Sequence, residues 1–286
     1  MTEKTNNKEF EIENKYIIKK QIGEGMFGKV FLAKHKYTDD DVAIKLDSSI
    51  LLKNEARIYK LLSSIEGIPK LRAYGIIEHY NYMVIDRLGE SLEQLKENCG
   101  GKLDLYTTIT LGLQILQRVE DIHKKNIIHR DIKPENLLMN VGNNNKKILY
   151  IIDFGLSKLY KITGNHLKCE KGRSIVGTLR FVSLNIHKGY TPSRRDDLES
   201  VGYTLLYLLY GSLPWVDTTG ETEIYDKKSS FSLWDLNDIP GEIITFICYC
   251  RGLRYEEDPD YTYLRELLRN LFKMKKYKVG DKLCWD

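Results

Sequence analysis

Apolar and polar positions change rhythm along the chain. Over residues 16–45 short apolar runs alternate with polar residues in YIIKKQIG, KVFLAKH and DVAIKL, separated by glycines and by Asp39-Asp40-Asp41. Branched residues in such runs predict three antiparallel strands. Residues 54–63 place Ile58, Leu61 and Leu62 at helical spacing, and 71–77 and 82–85 read as two more strands. After Gly89 the period becomes helical: 91–97, 105–124, 196–210, 239–251 and 261–272 carry apolar residues every three to four positions. The pattern predicts an α+β, two-lobed fold. A small antiparallel sheet lobe with one helix occupies 16–85, a hinge 86–89, and a larger, mainly helical lobe 90–286. Residues 1–15 read as a flexible polar arm, and 143–145 as a polar hairpin tip.

Composition narrows the class. Forty-four basic residues against 40 acidic ones give a net charge of +4, too small to point to nucleic acid. The most apolar run, 198–213, contains Glu199, Ser200, Gly202, Tyr203 and Tyr207, which makes it a buried helix rather than a bilayer span. The N-terminus lacks an apolar core of the secretory kind. Five scattered cysteines lack metal-type spacing; Cys248 and Cys250, in an apolar helical run, read as buried thiols, as suits a reducing compartment. A soluble, cytoplasmic protein is expected, with nuclear localisation left open and a monomer as the expected state.

The chemistry concentrates in HRDIKPEN, residues 129–136, and DFG, residues 153–155. Asp131 has Lys133 two residues on and Asn136 five residues on, and Asp153 follows an apolar strand-like run. Phosphoryl transfer needs a base where a hydroxyl arrives, and an amide oxygen and a carboxylate to hold Mg²⁺ against nucleotide phosphates. Gly23-Glu24-Gly25-Met26-Phe27-Gly28-Lys29-Val30 would let backbone amides approach those phosphates, with Val30 over the base. A dinucleotide-binding turn would need a helix directly afterwards, whereas KVFLAKH reads as a strand. Lys45 ends a strand between Ile44 and Leu46, and Glu55, in the helix ten residues on, is its expected partner; Glu66 is the alternative.

These motifs, in this order, resemble the eukaryotic protein kinase family. LGESLEQL (88–95), GTLRFVSLNIHKG (177–189), SRRDDLESVGY (193–203), GSLPW (211–215) and CRGLRYEEDPDYTYLRELLRNLF (250–272) are similar to the casein kinase 1 group. Ser183-Leu184-Asn185 stands where most protein kinases carry Ala-Pro-Glu, and is similar to that group's Ser-Ile-Asn. The resemblance implies a protein kinase fold with the site in the cleft between the lobes, and a Ser/Thr kinase using Mg²⁺-ATP. In its terms Asp131 orients the substrate hydroxyl and takes its proton. Lys133 contacts the transferring group and pairs with Thr178, while Asn136 and Asp153 bind Mg²⁺. Nucleotide contacts are expected from residues 22–30 beginning at Ile22, and from Ala43, Lys45, Glu55, the gatekeeper Ile85, Asp86 and Leu88 of the hinge, and Leu138. Asp197 is expected to tie the large lobe's central helix to the catalytic loop.

The resemblance further implies acidic or pre-phosphorylated protein substrates, read by Arg180 and by a second cluster of Arg130, Lys158 and Arg173. The chain departs from the group after Trp215: VDTTGETEIYDKKSS places Glu221, Glu223 and Asp226 where relatives supply lysines, leaving Lys227 and Lys228 as replacements from shifted positions. Competing readings are a vaccinia-related-type kinase, a nucleotide-binding pseudokinase scaffold, and a small-molecule phosphotransferase.

Overall fold

The computed structural model describes residues 10–25, 28–141, 147–218, 220–236 and 238–286. The chain divides into two compact units, the first up to Ser64 together with Ile68–Leu88, the second Ile65–Gly67 with Gly89–Asp286.

The first unit is a six-stranded sheet and one helix: β1 (Glu11–Ile12), β2 (Tyr16–Gly25), β3 (Gly28–His35), β4 (Asp41–Asp47), α1 (Leu51–Leu61), β5 (Leu71–Ile77) and β6 (Tyr80–Asp86). The strand order is β1-β2-β3-β4-β6-β5, every pair antiparallel. One sheet face closes over Ile12, Tyr16, Ala33, Val42, Ile44, Tyr82 and Val84, giving the alternation seen in the sequence its physical cause. Two expectations are corrected. The loose arm predicted to run to residue 15 gives way at Glu11–Ile12 to an edge strand, because Ile12 is fully buried and Glu11 pairs with Lys36 at 2.7 Å. The helix predicted over 54–63 begins three residues earlier, where Ser49 Oγ accepts from Leu51 N, and its buried side is Leu52, Glu55, Ala56 and Tyr59.

The second unit contains α2 (Leu92–Asn98), α3 (Leu105–Lys124), β7 (Ile127–Ile128), β8 (Leu137–Met139), β9 (Leu149–Ile151), β10 (Lys158–Leu159), β11 (Lys161–Ile162), β12 (Asn165–His166), α4 (Leu184–His187), α5 (Arg194–Tyr210), α6 (Glu221–Ser230), α7 (Gly241–Gly252) and α8 (Tyr261–Met274). Side-chain caps set several starts: Ser91 with Gln94 on α2, Asp104 on α3, Ser193 with Asp196 on α5 and Asp260 on α8. Helix α5 lies among α3 and α7, and is buried almost all round, so it shows little of the one-sided pattern of a surface helix. A cluster around Tyr203, Leu206, Trp215, Ile224, Ile243 and Ile247 joins α5, α6 and α7. Among the described residues no helix is long and apolar enough to cross a membrane.

Helix α6 is absent from the sequence expectation. Only Ile224 and Lys228 of its ten residues are buried, and a lysine does not register as part of an apolar stripe. The thiol expectation is half corrected: Cys250 is buried, but Cys248 is turned to solvent on the outer side of α7. The hairpin tip expected at 143–145 lies outside the described residues.

Candidate active site

In the first unit, β2 and β3 approach each other at Gly25 opposite Gly28, with Gly23 opposite Val30. Gly28 has φ +101°, and a Cβ there would collide with the carbonyl oxygen of Leu46; no other residue fits that backbone without strain. Met26 and Phe27, predicted to touch phosphates, lie outside the described residues. Ile22 is half exposed, and the Glu24 carboxylate accepts from Gln21 at 2.9 Å. The register sets Lys45 on β4 beside Val30 of β3 and Met83 of β6, and Ala43 beside Ile85. Lys45 Nζ lies 2.8 Å from Glu55 Oε2, with the glutamate side chain 2% exposed. A lysine held this way presents a fixed charge rather than a mobile one. Glu66, the alternative partner, pairs instead with Arg118 at 2.9 Å. The Asp86 carboxylate accepts from Lys70 N and Arg72 Nε, so among the groups of 86–88 it is backbone that remains to meet a ligand.

In the second unit, the short hairpin β8–β9 pairs Leu137 with Ile151, and Ile152 N donates to Asn136 O at 3.0 Å. This register sets Asn136, just before β8, beside the backbone leading into Asp153, just after β9. Both Asn136 side-chain bonds use Nδ2, to Asp131 O at 2.9 Å and Asp131 Oδ2 at 3.2 Å. Its amide oxygen is left to face a cation. One amide oxygen and one carboxylate suit Mg²⁺, which keeps waters and takes further oxygens from substrate phosphates.

Asp131 is largely buried, 8% exposed. Its Oδ1 accepts from Thr178 N at 2.9 Å and Thr178 Oγ1 at 2.7 Å. Lys133 Nζ lies 2.9 Å from Asp131 Oδ2 and 2.8 Å from Thr178 Oγ1. Carboxylate, ammonium and hydroxyl, 47 residues apart at their extremes, thus form one cluster in which an incoming hydroxyl would meet an acceptor and a cation together. Gly177, with φ +104°, makes this possible, since a Cβ there would strike the carbonyl oxygen of Arg130.

The loop carrying Asp131 is fixed from below by Asp197, near the start of α5. Its Oδ2 accepts from His129 N at 2.7 Å and His123 Nε2 at 2.9 Å, and its Oδ1 from Arg130 N at 2.8 Å. Burial pushes the Asp197 carboxyl upward in pKa, but His123, His129 and the backbone donor outweigh it and hold the group below the usual carboxylate range. Arg130 and Asp153 both sit at positive φ, +71° and +65°, a region that non-glycine residues occupy only where surrounding contacts hold them. For Arg130 those contacts are Asp197 at its amide and the Leu156 carbonyl at its guanidinium. His129 bridges the two motifs: Asp131 N donates to its Nδ1 at 3.2 Å, its Nε2 meets Ile152 O at 3.0 Å, and its ring packs edge-on against Phe154. Those partners assign the tautomer with the proton on Nε2. Neither His129 nor His123 was singled out from sequence, although His129 directly precedes Arg130-Asp131.

The expected anion-binding residues are not gathered equally. Arg180 is 36% exposed, lies over the rings of Phe181 and Tyr207, and reaches Glu135 at 3.2 Å. Lys158 is exposed on β10, opposite Ile128, Arg173 pairs with Glu170, and Arg130 turns to Leu156; each engages a separate group. Of the two replacement lysines, Lys227 is exposed, but Lys228 is fully buried. Its amine donates inward to the carbonyls of Leu179 and Val182, so it is removed from the set of substrate-anion candidates. Glu221 and Glu223 are exposed in the first turn of α6, where negative charge favours the helix macrodipole.

Gly28 and Gly177 at close backbone approaches, a paired lysine–glutamate in the sheet unit, and in the helical unit an aspartate–lysine–threonine cluster with Asn136 and Asp153 at the same end of one hairpin are residue types that phosphoryl transfer uses. A family model of the protein kinase domain matches residues 16–274. That match takes in every element from β2 to α8, and the chain belongs to the protein kinase domain family.

Proposed function

We propose that this protein is a Ser/Thr protein kinase of casein kinase 1 type, moving the ATP γ-phosphate to hydroxyls of acidic or pre-phosphorylated protein sites. Family membership implies ATP use, usually with Mg²⁺, and protein substrates. The observation that carries the finer reading is the contact of Lys133 with both Asp131 and Thr178, supported by Ser183-Leu184-Asn185 in place of Ala-Pro-Glu. Asp131 orients the hydroxyl and accepts its proton, and Lys133 offsets the charge that develops on the transferring group. Lys45, held by Glu55, fixes phosphates, and Asn136 with Asp153 would hold Mg²⁺. The metal, when bound, neutralises phosphate charge during transfer.

Lys45→Met is expected to lower transfer on the order of 10²-fold, the usual scale for removing one preorganised electrostatic contact. Steady-state kinetics in ATP check it, and a fully active variant would remove Lys45 from the phosphate site.

The substrate assignment rests on Arg180, whose half-exposed guanidinium can exchange Glu135 for a phosphate. Paired peptides, with phosphoserine or serine three residues before the target serine, test it. Wild type should favour the primed peptide, and Arg180→Ala should lose most of that preference. Equal turnover of both peptides by wild type would keep the kinase and discard priming. No turnover on either, with ATP still bound, would favour a nucleotide-binding scaffold.

A further inference from the structure

Lys228 is a lysine where a hydrophobic residue would be expected. It is fully buried on α6, four residues after the buried Ile224. Its Nζ lies 3.0 Å from Leu179 O, 2.7 Å from Val182 O and 3.2 Å from His187 Nε2. The rings of Tyr203 and Trp215 flank it, 5.0 and 5.2 Å away. Three acceptors for three N–H donors, with two aromatic faces around them, make a closed site for one ammonium group.

The acceptors belong to the segment that meets the transfer site. Thr178, which donates to Asp131 and contacts Lys133, begins a turn whose closing bonds run from Phe181 N and Val182 N to Thr178 O. The carbonyls of that turn point away from Asp131: Leu179 O and Val182 O to Lys228, and Arg180 O to Trp215 Nε1 at 2.9 Å. The turn is therefore held at Thr178 from one side and at three carbonyls from the other.

We infer that Lys228 is a positioning residue for the protein substrate: its buried ammonium fixes turn 178–182 so that Thr178 and Arg180 face the incoming peptide. The inference rests on the reading of Asp131 and Thr178 as the transfer site. A methionine of similar length would fill the same space without the burden of a buried amine, and replacing buried charges by apolar groups is often neutral for stability. What methionine cannot supply is three donors aimed at one turn and its neighbour.

The surroundings fit a functional cation. His187, on α4, is held down to about 4 by burial and by the Lys228 charge, so it stays neutral and accepts. On α5, Glu199 lies close enough to favour the ammonium, and its Oε1 also accepts from Leu184 N just beyond the turn. Tyr203 on the same helix gives its hydroxyl to Glu199. Arg251 on α7 lies 3.6 Å from Glu199 and donates to Lys228 O. Burial and Arg251 pull Lys228 down and Glu199 pulls it up, leaving it at about 7, so the amine is the three-donor ammonium below that pH and keeps two N–H donors for the Leu179 and Val182 carbonyls above it.

The test uses the full-length protein, Mg²⁺-ATP and a serine peptide, and reads two rates on each sample: phosphate transfer to peptide, and peptide-independent hydrolysis of ATP. Their ratio does not depend on the fraction of folded molecules, so a poorly folding variant still reports. Wild-type transfer to peptide is the control for the underlying kinase reading; its absence would sink that reading rather than this one. Lys228→Met is expected to lower the ratio about 10- to 100-fold, the scale of a misplaced positioning group, with the KM for ATP within about twofold of wild type. Lys228→Gln, which keeps two N–H donors on a shorter stem, should fall between the two. An unchanged ratio in both variants, even with a lowered Tm, would overturn the inference and leave Lys228 as a core residue only.

Discussion

Asp131→Asn is expected to lower kcat by about 10²- to 10⁴-fold, the range for loss of a positioned general base, while ATP affinity stays close to wild type. The substitution keeps the shape of the side chain, but one of its two positions becomes an NH₂ group. If that group takes the place of Oδ2, it faces Lys133 Nζ and Asn136 Nδ2, both donors. If it turns the other way it faces Thr178 N, also a donor. Either orientation sets donor against donor in a largely buried cluster, so a modest fall in stability, roughly 1–3 kcal/mol, should accompany the kinetic loss. Single-turnover transfer at saturating ATP, read beside ATP affinity and Tm, separates the two effects. A variant that binds ATP and transfers phosphate at the wild-type rate would remove Asp131 as the base.

Asp197→Ala should produce the largest loss of stability among the site residues, roughly 3–5 kcal/mol, because it breaks a buried charge network. The change withdraws the acceptor from His129 N, Arg130 N and His123 Nε2 together. Arg130 then keeps its left-handed backbone, φ +71°, without the bond that holds it there. Transfer should fall as well, since Asp131 follows Arg130 directly. The dependence on pH has a definite sign. A carboxylate whose pKa is lowered by folding adds stability above its unfolded value, about 4, and loses it as pH falls through the folded value. The gap in unfolding free energy between wild type and Asp197→Ala should therefore be widest at neutral pH and close below about pH 4. Denaturant unfolding at several pH values checks this, and a gap independent of pH would mean that Asp197 acts through packing rather than charge.

Much of the fold was written in local patterns. The alternation of KVFLAKH and DVAIKL became β3 and β4 because one face of the sheet is buried and the other is not. Helix α3 runs over 105–124 as its period demands, with Asp104 capping its start. The motif glycines were legible for the same reason: Gly28 and Gly177 answer to backbone geometry, which the residue type itself announces. Short-range rules decide such features, and short-range rules act on neighbours in sequence.

What the sequence left open depends on distances that only folding sets. Residues 11–12 carry too short a pattern to reveal a strand, and become one because β2 offers them an edge. Helix α6 has no apolar stripe to recognise, since its second inward position is Lys228. In sequence that lysine is one more positive charge beside Lys227, a candidate for substrate anions. Tertiary structure buries it and gives its donors to carbonyls 46 to 49 residues away. The family resemblance ties Asp197 to the catalytic loop, and the structure bears that out; the identity of its three donors, 67 to 74 positions upstream, is what folding alone set. The sequence by itself determined the longer strands and helices of strong period and the chemical parts of the site, because periodicity, caps and glycine positions are local. Only the tertiary structure decided which charges meet, because a buried charge is defined by the partners that packing brings to it.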